Sequence, residues 1–207
     1  MSACAGVALG YEPLAEDRRG EGRIWIEQGG SHVIPAVGAA LKSALLAAVL
    51  ELKPRKDARV VVLGAEIDAL PAKVRAALRA QVGFLPANGG LISHLNGWEN
   101  IALPLAYHAT KGVPALAPRV YAMLEQFGAD ARPLLAKLPE EMTLYERKLA
   151  GYVRMRLGRP KLVLAEDLGA GLGPGERRRA AGFAAAYLAD CPEGTFVLLE
   201  DVPDESG

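Results

Sequence analysis

Pro160-Lys161-Leu162-Val163-Leu164-Ala165-Glu166-Asp167 decides how this chain is read. Lys161–Ala165, following Pro160, reads as a buried parallel strand, because strands covered by helices on both faces are apolar almost without interruption. Two acids, Glu166 and Asp167, close it. In α/β sheets the ligand crevice lies beyond the carboxyl ends of the strands. Paired acids there hold magnesium or polarise water, while a solvated strand end is the plainer account.

Working outward, strand-like runs alternate with helix-like ones. Ile24–Glu27, His32–Ala36, Arg59–Leu63, Gln81–Leu85 and Thr195–Leu199 read as strands from their β-branched and apolar content. Lys42–Leu52, Ala69–Ala80 and Glu176–Leu188 read as helices, as does Leu144–Leu157, which carries Arg147, Lys148, Arg154 and Arg156 on an amphipathic pattern. The stretch from Asn88 to Leu138 is mostly helical and punctuated by Gly and Pro. This alternation predicts an α/β fold with a mostly parallel sheet. The expected organisation is one domain over 1–207 with a helical subdomain over 88–158 inserted in it.

Composition agrees with a packed domain. The chain has 207 residues, 51% hydrophobic and 23% charged, which is too apolar for disorder. Lys+Arg 24 balance Asp+Glu 24, which argues against a general nucleic-acid binder. Cys4 and Cys191 make no disulfide scaffold and fit a reducing compartment. His32, His94 and His108 lack metal-ligand spacing. The apolar stretch Val37–Leu50 is broken by Lys42 and Ser43 and falls short of the ~20 residues a bilayer needs. Met1 to Gly10 does not read as a signal peptide. The expected location is the cytoplasm.

Upstream, the strand ending near Ala36 runs through Val37-Gly38-Ala39-Ala40-Leu41-Lys42-Ser43 into a helix. A strand, a small-residue loop and Lys-Ser opening a helix is the layout of a phosphate-binding loop, in which backbone N–H groups cradle phosphate and the hydroxyl holds magnesium. That motif wants glycine at the positions of Ala36 and Leu41. Taken alone, the segment equally describes a surface Lys-Ser starting an ordinary helix.

With order and spacing added, the chain resembles the ATP-binding cassette (ABC) ATPases, the nucleotide-binding subunits of ABC transporters. Residues 160–172 resemble the Walker B segment. Val82-Gly83-Phe84-Leu85, then Gly89 to Leu95 and Trp98 to Leu105, resemble the passage from the Q-loop into the helical subdomain. Residues 146–160 resemble the helix after the signature motif, and Thr195–Leu199 the strand before the switch histidine. The resemblance implies an ABC ATPase fold, shortened at the C-terminus. It implies ATP and Mg2+ as cofactors. Gly38, Ala39, Ala40, Leu41, Lys42 and Ser43 would lie around the phosphates, with Tyr11 stacking on adenine. Ser43 and Glu166 would hold the metal, and Asp167 would stand for the catalytic carboxylate.

The departures from the pattern are concentrated at the nucleotide. Leu41 and Ala36 replace loop glycines, and Ala87 stands for the Q-loop glutamine. Met142-Thr143-Leu144-Tyr145-Glu146 stands for Leu-Ser-Gly-Gly-Gln, so that Leu144 and Tyr145 would block a partner cassette's approach. Glu166-Asp167 inverts the Walker B pair, Gly173 stands for the D-loop aspartate, and Asp201 for the switch histidine. The expectation is a non-hydrolysing structural or regulatory partner of a membrane transport system, peripheral to the inner membrane. Two alternatives stay open: an active or weakly active ATPase energising a transporter, and a cassette fold repurposed for another ligand. The apolar segment near Leu91, Leu95, Trp98 and Leu103 is expected to dock a transmembrane transporter subunit. A second cassette or a homodimer is a further expected partner, and nucleic acid is not.

Overall fold

The structure is a computed structural model, and it describes residues 6–14, 22–35, 38–51, 57–106 and 113–201. Ala36, Val37, Cys4 and His108 lie outside the described residues. The chain divides into two compact units. The first comprises Met1–Phe84, Pro160–Leu164 and Leu188–Gly207, and the second Leu85–Arg159 and Ala165–Tyr187.

The first unit carries two four-stranded sheets, apart from Leu85, Ala165 and Glu166 at the C-terminal ends of two strands, which fall in the second. In one, β1 (Val7–Pro13) is flanked by β2 (Ile24–Glu27) and β4 (Ala58–Val62), both antiparallel to it, and β5 (Ala65–Glu66) extends the edge in the order β2-β1-β4-β5. β1 escapes a propensity reading because it contains Gly10 and Pro13, both poor strand formers. Its partner strand explains the glycine. A Cβ on Gly10 would lie 3.0 Å from the Trp25 ring and 3.1 Å from Val61. The indole therefore lies over β1, between the guanidiniums of Arg23 (5.5 Å) and Arg59 (5.6 Å). Those guanidiniums are tied to Glu12 and Glu66.

The other sheet has the order β3-β8-β7-β6, from β3 (Gly30–Ile34), β6 (Val82–Leu85), β7 (Leu162–Glu166) and β8 (Thr195–Leu199). β3 and β8 pair in parallel with Ile34 opposite Leu199, as the alternating sequence led one to expect. β7 and β8 are buried almost throughout, which is what their unbroken apolar runs required. Helix α1 (Ala39–Glu51) follows β3 and sends Leu45, Ala48 and Val49 into a core shared with Leu9, Tyr11, Val60, Val62, Leu162, Leu164 and Val197. After β5, a single 3-10 turn at Ile67–Ala69 leads into α2 (Ala72–Arg79). Half of the described strands are thus antiparallel, a feature the expected mostly parallel sheet did not contain.

The second unit is helical: α3 (Gly97–Ala106), α4 (Val113–Gln126), α5 (Ala131–Ala136), α6 (Leu144–Leu157) and most of α7 (Pro174–Asp190). Its core is built on an aromatic trio. Tyr152 stacks on Phe183 with ring centroids 4.2 Å apart, and Phe127 meets both rings edge-on. The Tyr152 hydroxyl donates to the Phe183 carbonyl at 2.9 Å, as a buried phenol must find an acceptor. Helix α6 has the expected bounds, but it is buried more fully than an amphipathic pattern implies. Lys148 is fully buried and Arg156 is 6% exposed.

Candidate functional site

The strand register of the first unit determines what surrounds the Lys-Ser pair. β3 and β8 run side by side in the same direction, so their C-terminal ends emerge together. The ladder continues one step further, with the Glu200 N–H donating to the Ile34 carbonyl at 3.0 Å. From β3 the chain passes to α1, whose first turn closes with the Lys42 N–H on the Gly38 carbonyl at 3.0 Å. From β8 it delivers Asp201. The result is an ion pair across 159 residues of sequence, with Lys42 Nζ 2.5 Å from Asp201 Oδ1. The Lys42 side chain is 14% exposed and that of Asp201 52%.

The neighbouring residues divide between surface and core. Gly38, Ala40 and Ser43 are exposed, and Ala39 lies in the first turn of the helix. Leu41 is half-buried and packs on the core; a Cβ on Gly22 would lie 3.5 Å from its Cδ1 and 3.6 Å from Pro13. Its side chain therefore serves the packing of the unit. Tyr11 corrects the expectation of an adenine platform. Its ring is 5% exposed within the core cluster, so it offers no face to a ligand.

In the second unit, Glu166 and Asp167 are half-buried at the end of β7. Asp167 has φ +41°, a left-handed conformation that Asp tolerates better than most residues. The turn is held from below by Lys148. Its ammonium donates to the carbonyls of Asp167 (2.7 Å), Leu168 (3.0 Å) and Ala170 (2.9 Å), so each of its three protons has an acceptor. Burial lowers the Lys148 pKa, opposed by the charge of Asp167. Nothing in the sequence separates Lys148 from the three arginines of its helix.

The start of α6 is capped from within. Thr143 accepts from the Glu146 N–H at 3.2 Å, and Glu146 accepts from the Thr143 N–H at 2.8 Å, a capping box legible as Thr-x-x-Glu. Leu144 packs beside Gly171, whose Cβ would come within 2.7 Å of it. Tyr145 turns inward and is 4% exposed. Its hydroxyl donates to the Phe127 carbonyl at 2.8 Å, and Arg179 lies 4.8 Å over its ring. Burial pushes the phenol pKa up, against the opposing pull of Arg179. An outward obstacle was expected at Leu144-Tyr145, and Tyr145 is instead a core side chain.

Two glycines bring the loop after β6 onto α6. A Cβ on Gly89 would meet the Arg147 carbonyl at 2.2 Å, and one on Gly151 would meet the Gly89 carbonyl at 2.2 Å. Arg154 locks this contact by donating to the Gly90 carbonyl at 2.7 Å.

The apolar segment that follows is organised by Asn100, which is fully buried. Its side chain accepts from the Ile92 N–H (2.7 Å) and donates to the carbonyls of Leu95 (2.8 Å), Ile92 (3.1 Å) and Asn96 (3.1 Å). Asn96 and Glu99 cap α3 reciprocally. Leu91, Leu95, Trp98 and Leu103 are half-buried. Leu91 borders a cavity of about 280 Å³ together with Asn88, Pro139, Glu140 and Arg147.

Among the predicted site residues, the structure brings Lys42 together with Asp201. Glu166 and Asp167 belong to the other unit. Among the described residues, no group of three or more His, Cys, Asp and Glu could hold a metal. No described helix is long and apolar enough to cross a membrane.

The architecture has close counterparts. The chain superposes on cbiO1 from Clostridium perfringens, part of the ABC transporter complex cbiONQ, with TM-score 0.73 and 16% identity over 97% of this chain and 81% of that one. It superposes on the ATP-binding cassette MJ0796, a dimer solved with ADP and Pi, with TM-score 0.71 and 15% identity over 93% of this chain and 87% of that one. The fold is that of the ABC ATPase cassette.

In sequence the chain is similar to ATP-binding subunits of ABC transporters. It is 29% identical to the methionine import ATP-binding protein MetN of Cupriavidus necator, over 64% of this chain and 38% of that protein. It is 28% identical to the lipoprotein-releasing system ATP-binding protein LolD of Shewanella denitrificans, over 71% of this chain and 62% of that protein. The chain thus spans between 38% and 62% of the length of these curated relatives. No protein-family model matches it.

Proposed function

We propose that this chain is an ABC-type cassette subunit that does not hydrolyse ATP and acts as a structural or regulatory partner of a membrane transport system. The observation that carries this reading is Tyr145. Where the resemblance calls for signature glycine, the chain has a side chain buried in its own core and hydrogen-bonded to Phe127. The buried side chain fixes this backbone, whereas a glycine there would leave it free to adapt to a phosphate.

The fit to ATP and Mg2+ is poor at the other end as well. The cation that would meet phosphate faces Asp201, and the Tyr11 ring is enclosed. A cytoplasmic position at the membrane follows from the transport role. The docking surface for a transmembrane subunit is the Asn100-organised segment with Leu91, Leu95, Trp98 and Leu103. There the cavity beside Leu91 also presents Arg147, whose buried Nε makes no hydrogen bond among the described residues. A second cassette would be a further partner.

The test is steady-state phosphate release by the purified protein with Mg-ATP. The expected rate equals that of Lys42→Ala. Sustained release that Lys42→Ala abolishes would overturn the reading and establish the weakly active ATPase, with Lys42, Ser43, Glu166 and Asp167 as its machinery.

A further inference from the structure

Lys42 and Asp201 come together through strand register rather than chance. Parallel pairing places Ile34 opposite Leu199, and the added bond from Glu200 to Ile34 carries the second strand past its end. The next residue is Asp201, and its carboxylate oxygen lies 2.5 Å from Lys42 Nζ. Lys42 is itself fixed, in the first turn of α1 with its N–H on Gly38. Its side chain is 14% exposed, so the ion pair sits in a partly desolvated site.

An anion approaching that ammonium must either displace the Asp201 carboxylate or sit beside it. The first route costs the ion pair. The second sets two like charges a few ångströms apart, where repulsion is strong in a partly desolvated site.

We infer that Asp201 is a tethered counter-anion: it occupies the position at Lys42 that a phosphate group would take, so the chain excludes polyphosphate ligands with its own carboxylate. The inference rests on the proposed function in taking the Lys42 end as a former phosphate site, and it adds the device that keeps that site closed. A carboxylate presented on the chain competes at a fixed high local concentration, which lowers the apparent affinity of any free anion by the fraction of time the site is open.

The Asp201 side chain is half exposed, and ion pairs of that kind contribute little to stability. Asp201→Asn therefore tests occupancy without testing folding. It keeps the shape and removes the charge.

The experiment is calorimetric titration of the full chain with sodium tripolyphosphate, and in parallel with Mg-ATP. The proteins are the wild type, Asp201→Asn, Lys42→Ala and the double variant, each with a thermal melt to confirm folding. Asp201→Asn is expected to bind tripolyphosphate about tenfold tighter than the wild type or more, within the usual range of coupling between competing interactions. The double variant is expected to lose that gain.

Equal binding by the wild type and Asp201→Asn overturns the inference, as does weak binding by all four proteins. A gain that survives Lys42→Ala overturns it too, because the anion would then bind elsewhere. Phosphate release by the wild type would overturn the proposed function and leave this comparison of affinities readable by itself.

Discussion

Glycine is placed differently in two regions of this molecule. Along the loop between β6 and α3 and on the face of α6, glycine is kept where backbone meets backbone. Gly89 and Gly151 each leave room for a carbonyl that a Cβ would strike at 2.2 Å. At the two places where the ABC pattern would have glycine face a nucleotide, the chain carries Leu41, Leu144 and Tyr145, and all three pack against its own residues. Close backbone approach is used within the fold at Gly89 and Gly151, and under the proposed function it is what the nucleotide-facing positions lack. The difference is the one that the proposed structural role requires.

The sharpest way to break that comparison is Tyr145→Gly, which restores the signature residue. If the position is core, the variant loses about 4 kcal/mol of stability, as for removal of other buried aromatics. It also gains no phosphate release. Chemical denaturation and the release assay check the two halves, and a stable, active variant would refute the contrast.

Next in size is Gly151→Ala. Its added methyl must displace the Gly89 carbonyl, with an expected loss of about 3 kcal/mol on the same measurement. Lys148→Met follows at about 2 kcal/mol, because three carbonyls in the turn lose their donor. Hydrogen exchange at residues 167–170 should accelerate with it. Smallest is Gly38→Ala, with nothing within 4 Å of its Cβ position, expected within about 0.5 kcal/mol of the wild type.

Much of the fold was legible because burial writes itself into composition. The runs at Leu162–Ala165 and Phe196–Leu199 are apolar from end to end, and Thr143 and Glu146 announce the start of α6. What stayed hidden depends on partners distant in sequence. Gly10 makes β1 look unlike a strand, and only the indole of Trp25 across it explains the residue. Lys148 has the sequence character of a surface cation. Its burial depends on three carbonyls about 20 residues ahead, which no helical periodicity encodes.

The site divides in the same way. Strand order puts Lys42 in the first turn of the helix that follows β3, as the sequence pattern implies. The contact with Asp201 follows from the pairing of β3 with β8, and the enclosure of Tyr11 from the core beneath β1.

The chain's two tryptophans fall one to each unit: Trp25 between two guanidiniums in the first and Trp98 on α3 in the second. Each unit thus contains a single tryptophan, which excitation at the red edge of the indole band selects over the tyrosines. Trp25→Phe leaves an emission that reports the helical unit alone, and Trp98→Phe one that reports the sheets alone. Coincident unfolding curves from the two proteins would mean that the halves melt as one cooperative body, and separated curves that each keeps its own melting point.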